Sequence, residues 1–439
     1  MFIMADQSQN HTPFEAVIID GGRIPFQRSG TSYKELMSYD LGRMAIEGLI
    51  GRAPINGDDL DRVIMGTVIQ DVNTSNVARE SALGAGIPNS VPAHTVTQAC
   101  ISSNQAITSA VELIRSGQSK IILAGGTETM SDIPIRFRKK FRQKLLDARK
   151  YKSLSDFLKF FKGLRPSDLL PEIPAIAEFS TGETMGESCD KMAAHFGISR
   201  QAQDEYALRS HQLAAKATNE GWLDEELLPA AVPPDFEAIE HDNTFREDTS
   251  MEKLQKLSPA FIKPHGTITA GNSSAFTDGA SASLIMEKQE ALNRGLKPKA
   301  ILRAYTYVAQ DPEDELLLGP AYATPQVLDM MGLELSDIDV FEFHEAFAGQ
   351  ILTVLKALNS EKFAEENLDR DKKVGDIPME KFNCWGGSLS LGHPFGATGT
   401  RLVTTAANRL HHEDGELALV AACAAGGQGH AMILERFDS

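Results

Sequence analysis

The stretch HTVTQACISSNQAITSAVELIRSG, residues 94–117, decides how the rest of the chain is read. Thr95, Val96 and Thr97 alternate as in a strand. From Ser102 onward Ile107, Val111 and Ile114 recur on one face of a helix. Cys100 therefore stands at a strand-to-helix junction. Free backbone N–H groups and the positive end of a helix dipole at such a junction favour a thiolate. Its polar neighbours Gln98, Ser102, Ser103 and Asn104 set it apart from the usual free cysteine, a small buried hydrophobe.

The same pattern repeats on either side. Ala16–Ile19, Val63–Val68, Lys120–Ala124, Val340–Phe343 and Leu417–Ala422 are short apolar runs that read as strands. Residues 34–51, 102–116, 324–332 and 346–358 read as helices between them. Strand–helix alternation predicts an α/β fold with both sheet faces covered. Asp59-Leu60-Asp61 leads into VIMGTV, and Asp337-Ile338-Asp339 leads into VFEF. This echo predicts two similar βα halves, 10–130 plus 260–290, and 295–439. Residues 131–264 differ in character, being charged and helical in period, and read as an inserted cap domain. Ser199 is its clearest helix start, ahead of QAQDEYALRSHQLAAK. Residues 358–383 form a second, shorter, charged insertion.

The formal net charge is −17, which argues against general nucleic-acid binding. The charge is unevenly spread. Residues 136–165 hold twelve Lys/Arg and two Asp, a local +10 on a chain that is otherwise −27. Phe137, Phe141 and Leu145, then Leu154, Phe157, Leu158 and Phe161, recur there at helical spacing with basic residues between. That is the pattern of an amphipathic helical hairpin, its apolar stripe packed on the body and its cations outward. The four cysteines (Cys100, Cys189, Cys384, Cys423) form no CxxC pair and no metal-like cluster. No zinc site and no disulfide framework are expected, and reduced, intracellular thiols fit. The N-terminus has no signal-peptide apolar core and no Arg-rich transit pattern. No apolar run approaches the roughly 20 residues that span a bilayer. A cytoplasmic protein is expected, or a matrix one if a transit peptide has been removed.

The chemistry lies in a few loops. His393 stands in NCWGGSLSLGHPFGATGTRL, where glycines at 386, 387, 392, 396 and 399 allow tight turns and close ligand approach. Thr398 or Thr400 starts the helix that follows. Cys423 ends a strand-like run and enters AAGGQG, whose glycines expose N–H groups to a developing oxyanion. His344 and Glu345 follow the strand VFEF, at the end of a parallel strand where α/β active sites collect. GTITAGNSSAFTDGAS (266–281) reads as a loop fit to cradle a phosphate or a pantetheine chain. It lacks a P-loop ending, and no GxGxxG follows a strand, so nucleotide hydrolysis and dinucleotide binding are poorly supported. A thiol, a histidine to activate it and a second thiol suggest acyl transfer.

Six pieces, taken in order, resemble the thiolase family over nearly the whole length. They are the Cys100 segment, MGESCDKMAAHFGISRQAQDEYALRSH, GTITAGNSSAFTDGA, HEAFAGQ, GGSLSLGHPFGATGTR and CAAGGQGHA. HEAF, CAAGGQGHAM, LLLGPAYATP and the basic insertion resemble the branch that serves as the β subunit of trifunctional fatty-acid β-oxidation complexes. The resemblance implies a thiolase fold, two βα halves packed as a layered α-β-α-β-α core with an inserted, mainly helical cap. It implies a 3-ketoacyl-CoA thiolase (acetyl-CoA C-acyltransferase). Cys100 would take the acyl group, His393 would accept its proton and help form an oxyanion site, and Cys423 would act as acid/base at C2 of acetyl-CoA. His344 would hold a water that completes the first oxyanion site. The backbone N–H groups of Cys100 and Ala425 would form the second. Ser274, Gly392 and Gly426 would line the substrate channel.

It further implies no cofactor, with CoA as substrate, and a homodimer or dimer of dimers. A hydratase/dehydrogenase α subunit, or an anionic membrane surface, would meet residues 136–165; a third reading is that their charge draws the CoA phosphates toward the site. Three departures from the family pattern matter. Many thiolases have Asn where His344 stands and Gly where Ala425 stands. Short-chain acetoacetyl-CoA thiolases carry a histidine where Thr184 stands, so a purely biosynthetic reading (acetyl-CoA C-acetyltransferase, run in condensation) is weakened. Ketoacyl and hydroxymethylglutaryl-CoA-type synthases need another base in place of Cys423. A non-catalytic acyl-CoA- or lipid-binding homologue would not need Cys100, His393 and Cys423 together.

Overall fold

The computed structural model describes residues 14–172 and 177–438. Residues 10–13 of the expected first half lie outside the described residues, as does the side chain of Phe157. Nine strands carry the fold: β1 (Ala16–Arg23), β2 (Arg62–Gly66), β3 (Ala93–Val96), β4 (Ile121–Glu128), β5 (Thr277–Glu287), β6 (Ala300–Ala309), β7 (Val340–Phe343), β8 (Leu417–Ala424) and β9 (Gln428–Arg436). They hydrogen-bond in the order β7-β8-β9-β6-β1-β5-β4-β2-β3, and the short strand Gln27–Arg28 pairs with β5 off this path. The middle is a narrow seam. β1 and β6 share only the pairs Val17↔Ile301 and Ile18↔Ala300. Each side of the seam begins with two antiparallel pairings and ends in parallel pairing, one pair (β8 with β7) on one side and two (β4 with β2, β2 with β3) on the other.

Alternation along the strands sorts side chains into three apolar layers. Ala16, Ile18, Ile122, Ala124, Val340, Val420 and Ala422 point inward. They pack on helices Ser102–Arg115 and Thr398–His412, which lie between the two half-sheets. Val17, Ile19, Met65 and Leu123 point outward to helix Ser38–Arg52. Phe341, Phe343, Leu419 and Ala421 point outward on the other half, to helices Gly319–Met331 and Ala348–Leu358. The result is the expected α-β-α-β-α stack.

The two Asp-x-Asp segments play matching parts. Asp61 Oδ2 accepts the backbone N–H groups of Lys120 (2.6 Å) and Ile121 (3.0 Å) at the start of β4. Asp339 Oδ2 accepts those of Glu416 (2.8 Å) and Leu417 (3.3 Å) at the start of β8. Each carboxylate ties the entry of one parallel strand to the entry of its neighbour.

Three expectations need correction. Residues 277–281, read as loop, already belong to β5, all of whose residues are buried. Gly279, Ala280, Ser281, Ala282 and Ser283 look like loop composition. They are small because neighbours press on both faces; a side chain at Gly279 would run into Phe26. The helix expected at 324–332 begins at Gly319, because Pro320 sits in the first turn, where no N–H is needed. Residues 136–165 do form two helices, Lys139–Ala148 and Leu154–Phe161, after a bridge between Arg136–Phe137 and Pro171–Glu172. Their rings pack on one another: Phe137 on Phe141 (4.9 Å) and Phe141 on Phe160 (5.8 Å). The apolar stripe does not pack on the body. Leu154, Leu158 and Phe161 are 82%, 72% and 69% exposed. Among the described residues no helix is long and apolar enough to cross a membrane.

Candidate active site

Cys100 is aimed by a tight turn. Ala99 takes φ +45°, a left-handed conformation that costs a non-glycine residue about 1–2 kcal/mol. Ser102 holds the turn: its Oγ donates to Ala99 O (2.7 Å) and accepts from Gln98 N (2.8 Å). Helix Ser102–Arg115 then leads away. The N-terminus of helix Thr398–His412 meets it, Thr400 N donating to Ser103 Oγ (3.0 Å).

His393 reaches Cys100 from the second half. Gly392 (φ +96°) makes the bend, and a side chain there would collide with Thr277 Oγ1, which accepts His393 N–H at 3.1 Å. Glu128, at the end of β4, clamps this loop. Its carboxylate accepts Gly396 N (2.9 Å), Val68 N (3.0 Å) and Ile69 N (2.9 Å). Burial pushes the Glu128 carboxyl up to about 7, against the pull of those N–H groups.

The proton on His393 can be placed. Thr398 Oγ1 donates to Pro394 O (3.0 Å) and lies 2.7 Å from His393 Nδ1. With Pro394 O as an acceptor for its own hydrogen, Thr398 can accept from Nδ1–H, the arrangement that leaves a lone pair on Nε2. Burial holds His393 down to about 3, so the ring is neutral at pH 7. His344 stacks beside it at 4.0 Å between centroids, tilted by 39°. One ligand-type atom each from Cys100, His344 and His393 lies within 4.8 Å of the other two. Three residues with no cluster in the sequence thus converge in space.

Cys423 ends β8 and is buried, close enough to Cys100 that each thiolate would disfavour the other. The backbone N–H groups of Ala425 and of Cys100 itself point at the Cys100 sulfur and pull its pKa down. Gln98 Nε2 donates to Gln428 Oε1 (2.9 Å), binding the Cys100 turn to the Cys423 loop. Gly426 N donates to Glu178 Oε1 (2.8 Å). Ser274 is half-buried, and its N–H donates to Ala346 O (3.0 Å) beside His344. Cys189 is buried under Cys423, while Cys384 lies apart, in the cluster around Trp385.

One expectation is overturned here. The junction does not lower the Cys100 pKa: burial pushes the thiol up to about 12, and Glu128 and Glu178 add to the rise. Helix end and N–H groups lose to desolvation. At rest the site is a neutral thiol facing a neutral imidazole. Alkylation of Cys100 by iodoacetamide is therefore expected to climb log-linearly from pH 6 to pH 9. A plateau near pH 7 would show a preformed thiolate instead.

The structure shows what Glu345, placed beside His344 by the sequence, does there. Glu345 accepts from Tyr206 Oη (2.7 Å), Ser210 Oγ (2.9 Å), Asn383 Nδ2 (2.7 Å) and Leu389 N (3.1 Å). It is the buried post on which helix Arg200–Asn219, the His344 loop and the His393 loop meet. One partner lies 139 positions away, so this bracing role, unlike the residue's place at a strand end, has no local signal.

Comparison with known proteins agrees with this geometry. Residues 16–289 match the family model "Thiolase, N-terminal domain", and residues 296–436 match "Thiolase, C-terminal domain". The chain is 60% identical over 421 residues to the mitochondrial trifunctional enzyme subunit beta of Bos taurus, covering 96% of this chain and 88% of that one. A Bacillus anthracis acetyl-CoA acetyltransferase aligns with TM-score 0.83 at 31% identity, covering 97% of this chain and 99% of that one. Human mitochondrial 3-ketoacyl-CoA thiolase aligns with TM-score 0.82 at 29% identity, covering 97% and 99%. These findings overturn the cytoplasmic location expected above, since the bovine relative is named as mitochondrial. An address is not held in the packed residues that fix a fold, and the terminal pattern was a weak guide to it.

Proposed function

The chain belongs to the thiolase family, and from that membership and its two-cysteine, two-histidine site we propose that it cleaves 3-ketoacyl-CoA with CoA, in mitochondrial fatty-acid β-oxidation. The observation that carries the proposal is the pairing of Cys100 with a lone-pair-bearing His393 while a second thiol, Cys423, stands by.

The steps follow from those groups. His393 Nε2 takes the Cys100 proton as sulfur attacks the C3 keto carbon. The C2–C3 bond breaks, and acetyl-CoA leaves as an enolate, its oxygen held by His393 and by a water on His344. Cys423 gives its proton to C2. The Cys423 thiolate then takes the thiol proton of an incoming CoA, which attacks the acyl group on Cys100. The oxyanion of this second step meets the N–H groups of Cys100 and Ala425. Collapse releases the shortened acyl-CoA, and the proton on His393 returns to Cys100. Ser274, Gly392 and Gly426 border the channel for the pantetheine arm. No resident cofactor takes part, and CoA is a substrate.

Thiolysis assayed across C4 to C16 3-ketoacyl-CoAs tests the reading. Turnover of medium or long chains is expected. Activity confined to C4, with condensation favoured, would replace the proposal by acetyl-CoA C-acetyltransferase. No turnover at any length would leave a binding protein.

Partners follow from the surface. The hairpin 139–161 presents Leu154, Leu158 and Phe161 beside a dense set of cations. Covering each such side chain is worth about 1.5–3 kcal/mol. We read this as the dock for an α subunit with hydratase and dehydrogenase activity, with an anionic membrane as the other surface of suitable chemistry. Homodimers, or dimers of dimers, are proposed through the open edge at β3. The quadruple change of Arg138, Lys139, Lys140 and Arg142 to Glu tests the dock. Each charge near an anionic surface is worth about 1 kcal/mol, so co-purification of the α subunit, or binding to anionic vesicles, should fall plainly. If neither falls and the KM for CoA is also unmoved, the hairpin is only a solubilising face.

A further inference from the structure

The two stacked imidazoles are held by different hydroxyls, and the hydroxyls are not equivalent. Thr398 has a backbone acceptor for its hydrogen in Pro394 O, so it can accept from His393 Nδ1–H and leave a lone pair on Nε2, as a base for Cys100 requires. His344 Nδ1 lies 2.9 Å from Ser388 Oγ. Ser388 in turn accepts a hydrogen bond from Arg401 Nη2 at 2.9 Å. Arginine can only donate. If His344 also donated to Ser388, both lone pairs of the hydroxyl would be taken and its hydrogen would be left without a partner among the described residues. All three groups are fully buried, where a wasted hydroxyl hydrogen is disfavoured. If Ser388 donates to His344 Nδ1 instead, every hydrogen is used, and the ring proton sits on Nε2. His344 Nε2 is buried and without a partner within the protein.

We infer that Arg401 and Ser388 lock His344 in the Nε2–H tautomer, opposite to that of His393, and so make it a fixed hydrogen-bond donor facing the oxygen of the departing enolate. Ser388 and Arg401 are positioning residues in this scheme, because neither touches substrate. Arg401 is itself held toward Glu342, 3.5 Å away, and Glu342 is gripped by Arg409 at 2.7 Å. The device explains how a histidine can serve where an amide also serves in the family. An amide N–H₂ is always a donor, whereas an imidazole is a reliable donor only if its tautomer is fixed. With the tautomer fixed, the water it holds, or the enolate oxygen itself, always meets a hydrogen and never a lone pair. The neighbouring ring meanwhile remains a base for the Cys100 thiol, so one pair of like residues performs two opposite tasks.

The inference rests on the thiolase reading for its catalytic consequence but not for its central observable. Neutron diffraction from crystals of the wild-type protein at neutral pH should show the ring hydrogen on Nε2 of His344 and on Nδ1 of His393. A hydrogen on Nδ1 of His344 would overturn the inference whatever the enzyme's activity. Loss of wild-type thiolysis would instead sink the function and leave the tautomer result standing. In the second arm, Ser388→Ala should lower kcat about tenfold or more, as loss of an oxyanion donor does, with KM changed less than twofold. Its rate of Cys100 alkylation by iodoacetamide should stay within twofold of wild type, because the thiol and His393 are untouched. Ser388→Thr, which keeps the hydroxyl, should recover most of kcat. An unchanged kcat in Ser388→Ala, or an alkylation rate that falls together with kcat, would show Ser388 to be inert or merely structural and would refute the role.

Discussion

Cys100→Ala is expected to lower thiolysis on the order of 10³-fold or more, as removal of a covalent nucleophile does. The reasons are geometric. Cys100 is held by a strained turn at Ala99, faces a neutral His393, and has two backbone N–H groups trained on its sulfur. Cys189 is buried, and Cys384 lies in a separate cluster, so neither can stand in for it. Iodoacetamide should accordingly label Cys100 first in the wild type, with protection by acyl-CoA, and labelling of Cys189 or Cys384 ahead of it would overturn the assignment. Because the thiol at rest is protonated, the loss should be just as large at pH 9 as at pH 7.

Cys423→Ala carries the second large effect, about 10²–10⁴-fold on the full reaction, the usual range for a positioned acid/base. The variant should still accept an acyl group on Cys100, because that step needs only Cys100, His393 and the oxyanion donors. It should fail to exchange the α-protons of acetyl-CoA with deuterium. Mass spectrometry of the acyl-enzyme and NMR of acetyl-CoA in D₂O read the two halves separately. Normal exchange in the variant would remove Cys423 from the proton path. Burial and the nearness of Cys100 both raise its pKa. Cys423 thus waits as a thiol, the form needed to deliver a proton to an enolate carbon.

Most of the frame is legible in the sequence because its signals are local. Val340–Phe343 is an apolar run bounded by turn signals, and the strand has those bounds. Ser199 caps a helix as expected, its Oγ accepting Ala202 N at 3.1 Å. Cys100, Cys423 and His344 are legible for a related reason, since each sits where a strand ends and glycines or a helix begin, and His393 is legible from its glycine-dense loop. What stays hidden is whatever depends on distant partners. Glu128, Ser388 and Arg401 look like ordinary polar residues until folding surrounds them with partners from other segments, and the bracing role of Glu345 is equally hidden until then. The charge state of Cys100 is hidden too, since it turns on burial rather than on the junction. So is the outward face of the hairpin, because helical spacing says which residues share a stripe and not what covers it.

The matching halves have a consequence for how such a site can arise. The same positions of the repeated motif hold different residues in the two copies. Past the end of β7 stands His344, and at the end of β8 stands Cys423, both at the reacting centre. Counted from Asp61 and Asp339, Gly66 and Thr127 occupy those places in the other copy, and one residue beyond them Thr67 and Glu128 bond to each other (3.3 Å) and brace the loops. A repeated scaffold thus divides labour by place: at these strand ends the first copy supplies bracing and the second supplies reactive groups, while the first copy's own reactive thiol, Cys100, comes from the turn after β3. Each copy therefore carries part of the chemistry and part of the bracing, and a substitution in either is constrained by what its twin holds in place.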